Sequence, residues 1–190
     1  YSLDSPSNYI GARDIFSEDG KYRSMLVEID QEDIENYIPI KHKSWHTVYN
    51  IPKDLKEAIY TFFLANVIRD LRGDINTHRS MLINISRFTN VQEQIHQIVN
   101  DFIKDIQDAV KVYSNLPYEE AKENNHIFNL RKAFDKFYSN LEFTWYEVQS
   151  NLYKSTIQIK TVSVNQKNKG TLNYEENSEN GFRVIAIGGL

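Results

Sequence analysis

The sequence contains no cysteine, which excludes disulfides, thiolate zinc sites and a cysteine nucleophile, and leaves His, Asp and Glu as the side chains able to hold a metal. That absence fits a reducing, cytoplasmic setting. Positive charge is not in excess either: 22 Lys and Arg stand against 26 Asp and Glu for a net charge of -4, so attraction for nucleic acid must be local. Long apolar runs are missing. The longest, from Ala58 to Ile68, is interrupted by Tyr60, Thr61 and Asn66 and is too short to cross a bilayer, so no membrane partner is expected. The start, Tyr1-Ser2-Leu3-Asp4-Ser5-Pro6, has neither an initiator Met nor a basic stretch followed by an apolar one; it is not a signal peptide and reads as the cut end of a larger protein. A phosphate-cradling G-x-x-x-x-G-K-[ST] loop is also lacking, because Gly20-Lys21-Tyr22 has no upstream Gly and no hydroxyl residue after the Lys.

What is present suffices for one packed domain. With 190 residues, 41% hydrophobic and 13% aromatic, and only 7 Gly and 4 Pro as punctuation, the chain should fold rather than stay disordered. Residues 1–50 read as an irregular linker segment, with Tyr9, Ile10, Ile15 and Phe16 as single apolar anchors, a short strand predicted from Met25 to Ile29, and a basic cluster, Lys41, His42 and Lys43, before Trp45. Pro52 then opens a helix whose apolar residues, Leu55, Ala58, Ile59, Phe62, Phe63, Leu64, Val67, Ile68 and Leu71, nearly surround it until Gly73 stops it. Such a helix is covered on more than one side. Met81 to Ile85 reads as a buried strand, and a helix follows at once, capped by Thr89 or Asn90 with Gln92 or Glu93 three residues on. Its inner stripe is Val91, Ile95, Ile98, Phe102, Ile106, Ala109 and Tyr113.

Pro117 ends that element. Ile127, Leu130, Phe134, Phe137 and Leu141 outline one further helix and Trp145 to Tyr153 another, together a helical-hairpin insertion at about residues 115–153. A strand from Ile157 to Val164, a polar loop from Asn165 to Asn180 and a buried strand from Arg183 to Ile187 complete the order. The fold class is therefore α/β, a partial parallel sheet with flanking helices over residues 51–190. Working loops of open α/β sheets lie past the carboxyl ends of the strands, so a chain stopping at Gly188-Gly189-Leu190 is expected to be a fragment.

Four groups of residues carry candidate chemistry. His42 and His46 have the spacing of metal ligands on one helix face, but no acidic partner lies between them, and no metal site is assigned. Gln158-Ile159-Lys160 matches the end of a nuclease-like strand pattern, which any half-buried strand also produces, and no paired carboxylate supports it. Lys154, Lys160, Lys167 and Lys169 form a modest basic segment that reads as a solvated face. The loop Ser86-Arg87-Phe88-Thr89-Asn90 differs, because it joins a strand to a helix start where free amides, hydroxyls and an Arg can hold a phosphate; helix capping with a surface Arg is the competing reading. Ser86, Arg87, Thr89 and Asn90 are thus the nucleic-acid or phosphate-binding candidates.

Several strings together resemble one family, the endonuclease-type Z-one (Z1) domain, found in bacterial and fungal proteins with superfamily-two helicase-like ATPase regions. They are Ser7-Asn8-Tyr9-Ile10-Gly11, the string from Ile51 to Ile59, the long string from Ser80 to Gln92, and the terminal Arg183 to Leu190. The resemblance implies that the sheet is part of a RecA-like half. It further implies that Gly188 and Gly189 begin an ATP-coupling loop, that ATP and Mg serve the parent protein rather than this fragment alone, and that the parent acts on DNA. A Ser-Arg-Gly segment after the Gly-Gly and an upstream nucleotide-binding half, both expected in the family, are not in this sequence. Two other functions compete with a DNA-processing fragment: a non-catalytic scaffold whose helical hairpin docks a protein partner, and a self-contained metal nuclease.

Overall fold

The computed structural model describes residues 10–29, 31–165, 172–179 and 181–189, apart from the Asp33 side chain. Tyr9, Lys167, Lys169 and Leu190, named above, lie outside the described residues. Two short helices, α1 (Ala12–Phe16) and α2 (Gln31–Glu35), precede the long helix α3 (Lys53–Leu71). Then come strand β1 (Arg79–Asn84), α4 (Thr89–Tyr113), α5 (Tyr118–Ala121), α6 (Asn125–Phe137), α7 (Trp145–Thr156), β2 (Lys160–Val164) and β3 (Arg183–Gly188). The strand expected from Met25 to Ile29 does not form. A 3-10 turn covers Arg23–Met25 and the rest is irregular, leaving Met25, Val27 and Ile29 exposed.

The three strands form one parallel sheet in the order β1-β3-β2. Central β3 is buried along its whole length, as its apolar run requires, whereas β1 lies at an edge and leaves Leu82 64% exposed. Helix α4 packs against β2 and β3 through the stripe Val91, Ile95, Val99, Ile103 and Ile106, all buried. The residues expected to cap α4 do something else: Phe88 occupies the cap position, no side chain caps it, and Thr89 is already helical. Asn90 and Gln92 instead bond to backbone outside the helix, Asn90 to the Ser44 carbonyl at 2.9 Å and Gln92 to the Ser86 carbonyl at 2.6 Å.

Helix α3 is enclosed as its all-round apolar surface predicts, with α6 and α7 both packed against it. These two helices also meet each other through Phe134 and Trp145, whose ring centroids are 5.5 Å apart. Helix α7 runs on to Thr156, and the Ile157 N–H still bonds back to Tyr153 at 3.1 Å, so β2 begins at Lys160 rather than at Ile157. Helix α3 ends in a Schellman motif: Gly73 takes φ +83, its N–H reaches the Asp70 carbonyl at 2.9 Å, and the Asp74 N–H reaches that of Arg69 at 3.0 Å. A side chain at Gly73 would be strained by that backbone conformation.

That helix end is tied to the sheet by one carboxylate. Arg183 grips Asp70 with two hydrogen bonds of 2.7 Å, and Arg79, its register partner across β1 and β3, forms a 2.7 Å ion pair with the same group. Both guanidiniums are almost wholly buried, their side chains 2% and 1% exposed. The Asn66, Asp74, Ser155 and Ile75 carbonyls accept further hydrogen bonds from the terminal nitrogens, while the Nε of each arginine is buried without a partner among the described residues. Burial alone would raise the Asp70 carboxyl, but the hydrogen bonds from Arg183 and Arg79 outweigh it and hold the group below its usual value. Asp70→Asn leaves two buried cations without their counter-charge and should cost about 3–5 kcal/mol in urea unfolding near neutral pH. A depressed carboxylate stabilises the fold above its unfolded pKa, about 3.9, and loses that contribution as pH falls through the folded value, so the gap between wild type and variant should close in acid.

Candidate functional site at the carboxyl ends of the strands

Because β1 and β3 are parallel, Asn84 and Gly188 come out at the same end of the sheet, next to each other in register. Here the chain passes through Ser86, Arg87 and Phe88 into α4. Facing this loop is a segment far away in sequence, Ile40 to Lys43, and the two enclose a cleft of about 550 Å³. Its lining is Ile40, Lys41, His42 and Lys43 on one side and Asn84, Ile85, Ser86, Arg87 and Phe88 on the other. The sequence showed Lys41, His42 and Lys43 as a basic cluster but gave no sign that they join the loop at residues 86–88.

Helix α4 holds this segment like a strap. The Gln94 side chain accepts a hydrogen bond from the Val48 N–H and donates one to the His46 carbonyl, each 3.0 Å, while Asn90 holds the Ser44 carbonyl. Ile38 and Val48, both 6% exposed, anchor the strap in the core on either side of the turn. His46 donates from Nε2 to the Tyr37 carbonyl at 2.9 Å. His42 donates from Nδ1 to the Pro39 carbonyl at 2.8 Å, so in the neutral ring Nε2 accepts from the Ser86 hydroxyl 2.7 Å away. Ser86 Oγ in turn accepts the Phe88 N–H at 3.1 Å, and the His42 ring meets Phe88 edge to face at 5.5 Å. Strap and loop are thus locked together at the floor of the cleft.

The electrostatics of the cleft are one-sided. Lys41, Lys43 and Arg87 are exposed, and no carboxylate is among the lining residues. The Arg87 guanidinium lies over the Phe88 ring at 4.9 Å, an arrangement that orients it without neutralising it. The first turn of α4 has no side-chain cap, so the positive end of its dipole adds to the field at the same place.

Of the four residues picked from the sequence, the structure brings Ser86 and Arg87 into the cleft lining. Thr89 is the first helical residue behind them, and Asn90 is occupied in holding the strap. Gly188 closes β3, and a Cβ on Gly189 would fall 2.0 Å from Gln92 Nε2 and 2.1 Å from the Ser86 carbonyl. Gly189 is therefore packed against the protein's own backbone and amide, whereas a Cβ on Gly188 would meet only ordinary contacts at 3.6 Å and beyond. His42 and His46 lie on the strap and not on a helix, their Nε2 atoms used by Ser86 and Tyr37. Among the described residues no group of three or more His, Asp or Glu side chains is placed to hold a metal ion. Gln158 sits near Asp70 and Arg183, at the opposite end of the sheet.

Removing the Gln94 side chain isolates this design. Gln94→Ala leaves the buried Val48 N–H without its acceptor and should cost about 1–3 kcal/mol. Amide hydrogen exchange at Val48 should accelerate while protection in α4 beyond its first turns stays near that of the wild type.

No curated protein sequence and no solved structure shows a match to the chain. The sequence profile of the Z1 domain matches residues 54–190, which takes in α3, the whole sheet and the 86–88 loop but leaves the strap outside it. That match spans well over half of the molecule, and the chain belongs to the Z1 domain family.

Proposed function

We propose that the cleft binds phosphates of a nucleic-acid backbone, and that the chain contributes this surface to a DNA-processing protein of the endonuclease or helicase-like ATPase type. The observation that carries the reading is the lining itself: Lys41, His42, Lys43 and Arg87 converge with no carboxylate among them, in a chain whose overall charge is -4. A local positive field of this kind is what a net-acidic protein requires to hold a polyanion. Its position at the carboxyl ends of a parallel sheet also supports reading β1, β3 and β2 as part of a RecA-like half, where ligands meet the loops that follow the strands. Cleavage and ATP turnover belong to other segments on this reading; the residues described here bind and position.

A protein-docking role for α6 and α7 is the second reading, favoured by the exposure of Phe128 and Tyr146, 50% and 80%. Salt separates the two. Short DNA should bind the chain at low salt and weaken steeply as salt rises, because each phosphate contact releases a counterion. Arg87→Ala should weaken binding several-fold and flatten the dependence of log affinity on log salt by about 0.7–0.9. Its thermal unfolding should match the wild type, since the side chain is exposed. Wild-type protein that binds no DNA at low salt would move the function to the helical face.

A further inference from the structure

The strap carries a second feature that phosphate binding does not use. The chain has two tryptophans, and they are housed in opposite ways. Trp145 is 7% exposed, packs edge to face on Tyr118 at 6.0 Å and against Phe134 at 5.5 Å, and donates from Nε1 to Gln149 at 2.8 Å. Trp45 is 76% exposed, and among the described residues its ring meets no other ring and its Nε1 has no hydrogen-bond partner. A single exposed apolar side chain is ordinary on a protein surface; what sets Trp45 apart is the way its backbone is held and the charges beside it.

Trp45 is not on a mobile tail. It occupies a central position of a turn closed by the His46 N–H to the Lys43 carbonyl at 3.0 Å. The residues on either side, Ser44 and His46, both give their carbonyls to α4, to Asn90 at 2.9 Å and Gln94 at 3.0 Å. The indole is therefore presented outward from a pinned backbone, two residues from Lys43 in the cleft wall. Tyr49, 88% exposed, follows four residues later, within about 14 Å along an extended chain.

We infer that Trp45 is a base-stacking platform and that the cleft takes single-stranded nucleic acid in preference to duplex. This rests on the phosphate-binding reading above and adds to it the form of the ligand. A cationic track beside an aromatic face matches the two surfaces of a single strand, phosphates on one side and unstacked bases on the other. In a duplex the base faces are stacked on one another and the indole has nothing to cover. The charge of the strap selects this occupant over an apolar protein segment, since Lys41 and Lys43 precede the indole and the facing loop supplies Arg87.

The test uses the whole chain with an oligo(dT) of about 12 nucleotides, within the site sizes such surfaces cover, and a blunt duplex of the same length at low salt. Oligo(dT) should quench the tryptophan emission, and the quenching should vanish in Trp45→Phe, since Trp145 is shielded in the core. Trp45→Ala should weaken oligo(dT) binding by about five- to one-hundred-fold, with Trp45→Phe close to wild type because the phenyl ring still stacks. The duplex should bind more weakly than oligo(dT) and respond little to either substitution. Equal affinity for both forms, or Trp45→Ala binding like wild type while Arg87→Ala still binds weakly, would overturn the platform and leave the phosphate cleft standing. Failure of both oligonucleotides to bind or quench would overturn both readings.

Discussion

Asp70 carries one negative charge and faces two guanidiniums that the fold has taken almost entirely out of water. Desolvating a cation costs several kcal/mol even after relaxation, and one carboxylate cannot neutralise two. The balance comes from backbone carbonyls at Asn66, Asp74, Ile75 and Ser155, which lie in the last two turns of α3, just past its end, or in the last turn of α7. Those helix ends carry partial negative charge. Arg79 and Arg183 are therefore set in a nest of negative dipoles with one full charge at its centre. The arrangement fixes relative position more than it adds stability, because a single group touches the first residues of both β1 and β3 and the last turn of α3. Once those two strand starts are aligned, the parallel register carries the alignment to the far end, where Asn84 meets Gly188.

At that far end the cleft depends on a different kind of bond. The strap and the 86–88 loop are 44 residues apart, and they are joined by His42 to Ser86 and by side chains of α4 to strap backbone. Asn90, Gln92 and Gln94 would ordinarily be surface polar residues near a helix start. Here each satisfies a main-chain group of a segment that has no regular structure of its own to do so. The missing side-chain cap on α4 has a separate cause: Phe88 occupies the cap position and has no side-chain acceptor, and the uncapped amides keep the helix end positive.

How much of this the sequence announced depends on the range of the interaction. The α3 and α4 stripes, the Gly73 stop and the buried β3 run are local patterns, and each appears within a few residues of where it was read. Met25 to Ile29 has the composition of a strand, but a strand needs a neighbour, and among the described residues none pairs with it. His126, which looks like a surface residue, is half-buried and bonded to the Tyr60 hydroxyl at 2.9 Å; burial pushes Tyr60 up to about 12 and His126 down. Ser86 and Arg87 could be named because strand, loop and helix are contiguous. Lys41, His42 and Lys43 could not be joined to them, since the link runs through glutamine and asparagine side chains whose partners are backbone atoms and leave no mark in sequence.

An acidic chain can hold a polyanion only where the short-range field beats the long-range one. At physiological salt, charges more than about 8 Å apart are largely screened, so the 26 acidic residues matter little to a phosphate unless they sit beside it. The cleft meets that condition by composition, with carboxylates absent from its lining, and by construction, with its cations drawn from two distant segments. Neither segment is strongly basic alone: the loop offers Arg87, and the strap offers two lysines and a histidine. The positive patch thus exists only in the folded chain, and it is sensitive to whatever loosens the strap. A binding surface assembled this way is governed by the hydrogen bonds of Gln94 and Asn90 as much as by the charges that would touch a ligand.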